Sequence, residues 1–419
     1  MGNDIATAAE AVDRDRRWQR LMDMAKRGAT PKGGVNRQAL SPADNEARRL
    51  LANWAETLDF AVAIDEIGNL YVRRAGSDAE APPVMTGSHL DSQPTGGQFD
   101  GAYGVLAGFE ALEAIERAGL ATRRPIEVVA WTNEEGSRFQ PGCMGSAVFS
   151  RDMKPADLLD VVDSNGERFG TALDATFSAL PDLRRIESGY PVAAYVEAHI
   201  EQGPRLESSG TTIGAVTGIQ GAQWFAIEVV GEEAHAGTTP LRQRKDALKA
   251  AAEMVGALEE LMADDTDTVR FTIGRFEVEP GSPNTVPGRA FFTIDFRHPE
   301  QDVLDRLGGQ VDAVCQAHAR GCAVTVTKTR DTSPTHFSRT MVDRVGGQAR
   351  QLELSCMDMF SGAGHDAQYM AEICPTAMIF VPCEKGISHN EAESATPDDL
   401  AAGTRVLAAL LVDLANGDA

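Results

Sequence analysis

The sequence predicts an α/β protein in which a discontinuous, mostly parallel sheet domain is interrupted by a small inserted domain. Two observations carry this. Up to about Gln202, short apolar runs alternate with segments of helical spacing, the order that builds a parallel sheet with crossover helices. From about Ala222 the order becomes β-α-β-β-α-β, the split βαβ of a ferredoxin-like domain, and afterwards the buried-strand pattern resumes. A chain of 419 residues with 42% hydrophobic content has enough apolar mass for more than one core.

Taken in order, residues 16–26 and 45–58 carry helical spacing, and the preceding start, with no apolar h-region, reads as the approach to a helix rather than a signal peptide. Residues 60–64 and 70–73, joined through Gly68-Asn69, predict a hairpin. PVMTGS (83–88) and IEVVAW (126–131) predict buried strands, and the helix 102–118 between them presents Val105, Phe109, Leu112 and Ile115 on one face. In the insert, strands are expected at 224–230, 268–278, 286–296 and 323–328, with helices at 246–262 and 303–319. Residues 377–381 return to the buried-strand pattern. The last helix opens on TPDD, with Thr396 as N-cap, Pro397 at the first helical position and two carboxylates in the first turn. The expected boundaries are 1–216 and 330–419 for the catalytic, metal-binding domain and 217–329 for the insert.

Charge removes several classes. With 39 Lys+Arg against 62 Asp+Glu the net charge is −23, so no basic stripe is available for nucleic acid. No apolar run approaches the length of a membrane span, and Ala6 breaks the myristoylation pattern. Six cysteines without a CxxC pair suggest reduced thiols and a cytoplasmic location.

The chemistry gathers at predicted strand ends, where parallel sheets place ligands. His89 ends the first buried strand in GSHLDS, and Asp91 is positioned to orient its imidazole. Asp100 follows in the glycine-rich turn GGQFDGAYG; a phosphate loop is disfavoured there, because GxxxxGK[ST] is absent and the loop is acidic. IEVVAW ends in TNEEG, where Glu134 and Glu135 follow a buried strand; unpaired charges are costly there and a cation offsets that cost. One carboxylate then binds metal while its neighbour handles protons. In AYVEAHIEQ, His199 shares a strand face with Tyr195, Glu197 and Glu201, and His389 lies past the strand TAMIFVP. Three imidazoles and two carboxylates from separate strand ends are the inventory of a two-metal hydrolytic site, in which one carboxylate bridges ions about 3.5–4 Å apart. Gly362-Ala363-Gly364-His365-Asp366-Ala367 matches a dinucleotide fingerprint only weakly, since no acidic strand end follows about 20 residues later; His365 reads better as a polar substrate contact. In the insert, His235, Asn284 and Arg297 sit at matching strand ends, which makes Arg297 a candidate carboxylate clamp. His298, His318 and His336 read as structural or surface residues, with His318 mid-helix.

On the motifs GSHLDSQPTGGQFDG, TNEEGSRF, EAHIEQGPRLE, GEEAHAGTTP, GSPNTVPG with DFRHP, SGAGHDA and ISHNEAE, nearly the whole chain resembles the M20 metallopeptidase-like amidohydrolases, in their hydantoinase/carbamoylase branch. That branch holds N-carbamoyl-L-amino acid hydrolases, β-ureidopropionase and allantoate amidohydrolase. The resemblance implies His89, Asp100 and His199 as ligands of one metal, bridging Asp100 with Glu135 and His389 as ligands of the other, and Glu134 as general base. It further implies substrate contacts at Gln202, His235, Asn284, Arg297 and His365, with Arg297 clamping a carboxylate and His235 near the oxyanion. Two divalent ions per subunit follow, zinc first, with Mn²⁺, Co²⁺ or Ni²⁺ as alternatives, because such N/O ligands suit them all. The inserted domain is implied to be a lid that also forms a homodimer. The activity implied is hydrolysis of the carbamoyl C–N bond of an N-carbamoyl amino acid to amino acid, CO2 and NH3, with allantoate hydrolysis or peptidase and acylaminoacylase activity as alternatives. The QPTGG flank ranks N-carbamoyl-β-alanine first, α-carbamoyl substrates close behind and allantoate third.

Overall fold

The computed structural model describes residues 2–417, and the chain divides into two units: one runs to Thr217 and resumes at His336, and the other is Gly218–Thr335. The strands, in chain order, are β1 (Ala61–Asp65), β2 (Leu70–Arg74), β3 (Val84–His89), β4 (Ile126–Trp131), β5 (Arg184–Ile186), β6 (Ala194–Ile200), β7 (Ile213–Ile219), β8 (Gly221–Val230), β9 (Ala234–His235), β10 (Arg270–Glu279), β11 (Thr285–Val286), β12 (Arg289–His298), β13 (Ala323–Thr332), β14 (Thr335–His336), β15 (Cys356–Ser361) and β16 (Thr376–Val381).

The large sheet of the first unit has the order β14-β7-β16-β6-β3-β4-β2-β1-β5, with β15 added on β7. Its centre, β16-β6-β3-β4, is parallel throughout, and every residue of those four strands is buried. Helices cover both faces of such a sheet, which is why these strands read as apolar runs rather than alternating ones. The predicted hairpin forms, with β1 antiparallel to β2 and Gly68 in the left-handed region at φ 93°. Helix Ala102–Arg117 connects β3 to β4 and buries its first fourteen residues. Among them are Glu110 and Glu113, whose charges are met by Arg16 and Arg20 of helix Arg14–Ala25. The closing helix Pro397–Asn416 packs on helix Ala102–Arg117, and the Thr396 hydroxyl caps it by accepting from the Asp399 N–H at 3.0 Å.

In the second unit the sheet order is β10-β12-β8-β13, each neighbouring pair antiparallel. Burial alternates strictly along β12, and its inward set (Ala290, Phe292, Ile294 and Phe296) packs with Phe225, Ile227 and Val229 of β8 under helices Ala247–Met262 and Gln301–Ala317. That period of two is the pattern of a sheet with one covered face.

Three local expectations change. The strand expected at 286–296 splits into β11 and β12, because Pro287-Gly288 interrupts the ladder and Pro has no N–H to donate. The chain start is itself helical over Gly2–Glu10, with Ala8 and Ala9 buried in contact with the closing helix. His318 is the C-cap of its helix rather than a mid-helix residue, and its Nδ1 lies 2.9 Å from the Val314 carbonyl. Among the described residues no helix is long and apolar enough to cross a membrane.

Candidate metal centre

The four central parallel strands deliver the site. His89 is the last residue of β3, His199 lies near the end of β6, Glu134 and Glu135 follow β4, and His389 follows β16. Asp100 comes from the loop that leads into helix Ala102–Arg117. That loop turns at Gly101, whose φ is 63° and where a Cβ would lie 2.3 Å from the His89 ring, so only glycine lets Asp100 come this close.

Asp100 faces two groups at once. Its Oδ1 lies 3.2 Å from His199 Nε2 and 3.8 Å from His89 Nε2. Its Oδ2 lies 3.4 Å from His389 Nε2, which is itself 3.3 Å from Glu135 Oε2. The ligand atoms of His89, Asp100 and His199 lie within 4.8 Å of one another, as do those of Asp100, Glu135 and His389. The rings are held in one tautomer. His89 Nδ1 is 2.8 Å from the Asp91 carbonyl and His199 Nδ1 is 2.9 Å from the Ile200 carbonyl. A carbonyl only accepts, so each Nδ1 carries a proton, and in the neutral ring Nε2 is left with its lone pair. In that neutral form His199 Nε2 accepts from the Gly101 N–H at 3.2 Å, and when protonated it donates to Asp100 Oδ1.

Asp91 reaches the His89 ring through its main chain rather than its carboxylate. Its carboxylate sits 4.0 Å from His89 Nδ1 and accepts instead from the backbone N–H groups of Glu134 (3.3 Å) and Glu135 (3.2 Å). The imidazole is oriented by the Asp91 main-chain carbonyl, while the side chain ties the Glu134–Glu135 turn to the end of β3.

The electrostatics test whether cations fit. Burial, aided by the Asp100 charge, pushes Glu135 up to about 8, and burial with the Asp44 charge takes Asp91 to about 7. Burial together with the charges of Asp366 and Glu135 holds Glu134 well above the usual carboxylate range. Burial drives His89 down to about 4. Burial works against the charged forms of Asp100 and His199 too, but their mutual hydrogen bond wins: Asp100 stays well below its ordinary value and His199 rises to about 9. A crowd of buried carboxylates around three imidazole Nε2 atoms is an anionic N/O donor set, and divalent cations fit it.

The backbone is strained here. Asn133 (φ 56°), Cys143 (φ 54°), Gln202 (φ 56°) and His389 (φ 53°) are non-glycine residues in the left-handed region, all on loops beside the cluster. Each such conformation costs on the order of 1–3 kcal/mol and persists where the surroundings over-determine it.

The remaining expected residues separate. Gln202 donates its amide to Asp100 Oδ2 at 2.9 Å and to Ser388 Oγ at 3.1 Å, so it holds a ligand carboxylate. His365 is buried, with its ring centroid 4.6 Å from that of His199 and its Nε2 2.9 Å from Ser361 Oγ. The glycine segment before it leads into a helix of only four residues, Ala367–Met370, too short for a dinucleotide motif. His235, Asn284 and Arg297 belong to the second unit. There His235 and Asn284 are brought together by the β9–β11 pairing, and Ala236 N–H donates to the Asn284 carbonyl at 3.0 Å. Arg297 places its Nη2 2.8 Å from Asp295 Oδ2. Reading the sequence missed Gln93, whose amide donates to Glu135 Oε2 at 2.7 Å, and the pair Ser388 and Glu393 around Asp100. All three lie inside motifs already singled out, Gln93 in QPTGG and Ser388 and Glu393 in ISHNEAE; only the folded loops show what they hold.

The sequence matches Peptidase family M20/M25/M40 over residues 85–413. It is 40% identical to an N-carbamoyl-L-amino-acid amidohydrolase of Rhizobium meliloti over 94% of this chain and 95% of that one. It is 36% identical to allantoate amidohydrolase of Escherichia coli over 93% and 95%. The crystal structure of a hydantoinase/carbamoylase family amidase from Burkholderia multivorans superposes with a TM-score of 0.92 at 43% identity, covering 97% of this chain and 99% of that one. The protein is a hydrolase acting on amide C–N bonds. The chain belongs to the M20/M25/M40 peptidase family, in its hydantoinase/carbamoylase branch.

Proposed function

We propose that this chain is a two-cation amidohydrolase that removes the carbamoyl group of N-carbamoyl-L-α-amino acids. The observation that carries it is Asp100, whose two oxygens face two separate ligand groups, one with His89 and His199 and the other with Glu135 and His389. Zinc is the first candidate for both sites, and cations held there supply Lewis-acid polarisation of the carbamoyl oxygen and a lowered pKa for water.

The chain's own residues do the rest. Glu134, with Oε2 3.4 Å from His89 Nε2 and none of the hydrogen-bond donors that hold Glu135, is placed to take a proton from the attacking water. The water oxygen bonds to the carbamoyl carbon as that carbon's bond to the amino nitrogen breaks. Glu134 returns the proton to the departing amine, and the carbamate left behind decays to CO2 and NH3. Arg297 and Asn284, on the second unit's sheet and turn, are proposed to bind the substrate carboxylate, with His235 steadying the oxyanion. Asn284 carries its amide in the turn beside β9, and His235 is exposed. In this reading the second unit is a ferredoxin-like lid that also pairs two subunits. Six free cysteines agree with a cytoplasmic enzyme.

The substrate ranking changes from the one drawn from the QPTGG flank. Three similar relatives, at 40, 38 and 36% identity, are named for N-carbamoyl-L-amino acids, which moves these ahead of N-carbamoyl-β-alanine. The test is kcat/KM for N-carbamoyl-L-α-amino acids, N-carbamoyl-β-alanine, allantoate and dipeptides with each metal in turn. The α-carbamoyl substrates should lead. A tenfold or larger preference for allantoate overturns the substrate and keeps the chemistry, whereas activity confined to dipeptides overturns the carbamoyl assignment.

A further inference from the structure

Glu393 is buried, lies four residues beyond His389, and belongs to neither ligand group. Its carboxylate is nevertheless fully engaged with the loop that carries Asp100. Oε1 accepts from the backbone N–H groups of Phe99 (2.9 Å) and Asp100 (3.0 Å), and Oε2 lies 2.9 Å from Ser388 Oγ. Ser388 Oγ also lies 2.9 Å from Asp100 Oδ2. The loop makes room for this carboxylate: at Gly97 a Cβ would lie 2.1 Å from Glu393 Cδ. Two loops are thus joined through one side chain across 294 residues, counted from Phe99 to Glu393. Each loop supplies a ligand to the same group, Asp100 from one and His389 from the other.

We infer that Glu393 is a positioning residue for the cation centre: it fixes the backbone of Asp100 so that the carboxylate presents one oxygen to each ligand group, with Gly97 required for its approach. This rests on the two-cation reading above. The reason is entropic and geometric. A bridging carboxylate on a glycine-rich loop must be ordered before a cation arrives, and two N–H donors locked on a buried carboxylate order it through charge-assisted bonds. Because Asp100 serves both groups, loss of Glu393 weakens both cation sites together, whereas loss of His389 or Glu135 weakens one.

The test uses the full chain, with Zn²⁺ as the probe and no substrate. Zinc affinities come from chelator competition on wild type, Glu393→Gln and Glu393→Ala, and amide hydrogen exchange is followed over residues 96–101 of the metal-free proteins. Partners that hold a metal ligand typically change affinity by about 10–100-fold. Glu393→Ala should lose that much at both sites, with faster exchange at Phe99 and Asp100. Glu393→Gln retains one carbonyl oxygen for the two N–H groups and should recover most of the affinity, and it keeps the test open if the alanine variant does not fold. Unchanged zinc affinities, or faster exchange with affinities intact, overturn the inference, as does weakening of only one site. If wild type itself fails to take up two equivalents, it is the two-cation reading that falls.

Discussion

The two units carry their candidate residues in opposite ways. In the first, the carboxylates of the cluster are held from other loops, with Asp91 on the Glu134–Glu135 backbone, Gln93 on Glu135, and Gln202 and Ser388 on Asp100, while His89 and His199 lean on nearby main-chain carbonyls. In the second, the bonds are local. Arg297 pairs with Asp295 two residues away on the same strand, His235 Nδ1 accepts from the N–H of Gly237, and Asn284 Oδ1 accepts from Ser282 Oγ. In the function proposed above, chemistry belongs to the first unit and recognition to the second. The groups proposed to act on the scissile bond sit at the ends of four fully buried parallel strands. The groups proposed to recognise substrate hold on to near neighbours, bonds that a substrate carboxylate would replace.

The largest expected effect breaks this contrast on the first unit's side. Glu134→Gln should lower kcat by about 10²–10⁴-fold while both metals stay bound, since the base is removed and the ligands are untouched. Glu135→Gln should instead reduce occupancy of one site. Metal analysis beside turnover distinguishes them, and metal loss in Glu134→Gln but not in Glu135→Gln reverses the two roles.

A smaller effect is expected on the second unit's side. Arg297→Ala should reduce kcat/KM by about 10²-fold, with KM raised and kcat lowered together, because a clamp both binds and positions. Zinc affinity should not change. An Arg297→Ala enzyme with normal kinetics on carboxylate substrates removes the recognition half of the comparison.

The smallest effect is a pH dependence confined to the first unit. In the metal-free folded chain Glu135 and Asp91 titrate near about 8 and 7, above the roughly 4 of an unfolded carboxyl. The hydrogen bond that His389 donates to Asp100 raises it to about 9; at His199 burial opposes, yet Asp100 lifts it to about 9 as well, against roughly 6.5 when unfolded. From pH about 6.5 to 8 the folded state therefore binds more protons than the unfolded one, and stability falls as pH rises. Tm of the metal-free protein should drop over that window. Saturating zinc, which displaces those protons, should abolish the drop. A metal-free Tm that climbs from pH about 6.5 to 8 contradicts the electrostatic account.

Much of the candidate cluster was legible in the sequence, for a physical reason. A buried parallel strand announces itself as an apolar run, and the residues just past its end land on one rim of the sheet. His89, Glu134, Glu135, His199 and His389 are therefore found by reading to the end of each run. Asp100 is found because a glycine-rich turn opens the next helix. The supporting bonds are not legible in this way. Glu393 meets Phe99 across 294 residues, and Gln202 turns its amide toward Asp100. Edge strands such as the three-residue β5 and the two-residue β14 are also too short to carry a period.

At the centre of this account one carboxylate, Asp100, serves two cations at the ends of four parallel strands. The most direct measurement is a calorimetric titration of the metal-free protein with Zn²⁺, with hydrolysis of an N-carbamoyl-L-α-amino acid assayed at each point. The account predicts two equivalents bound per chain, activity that returns with them, and a single remaining site in His389→Ala. Full activity in a verified metal-free protein, or a wild-type chain that binds one equivalent and is fully active, would contradict it.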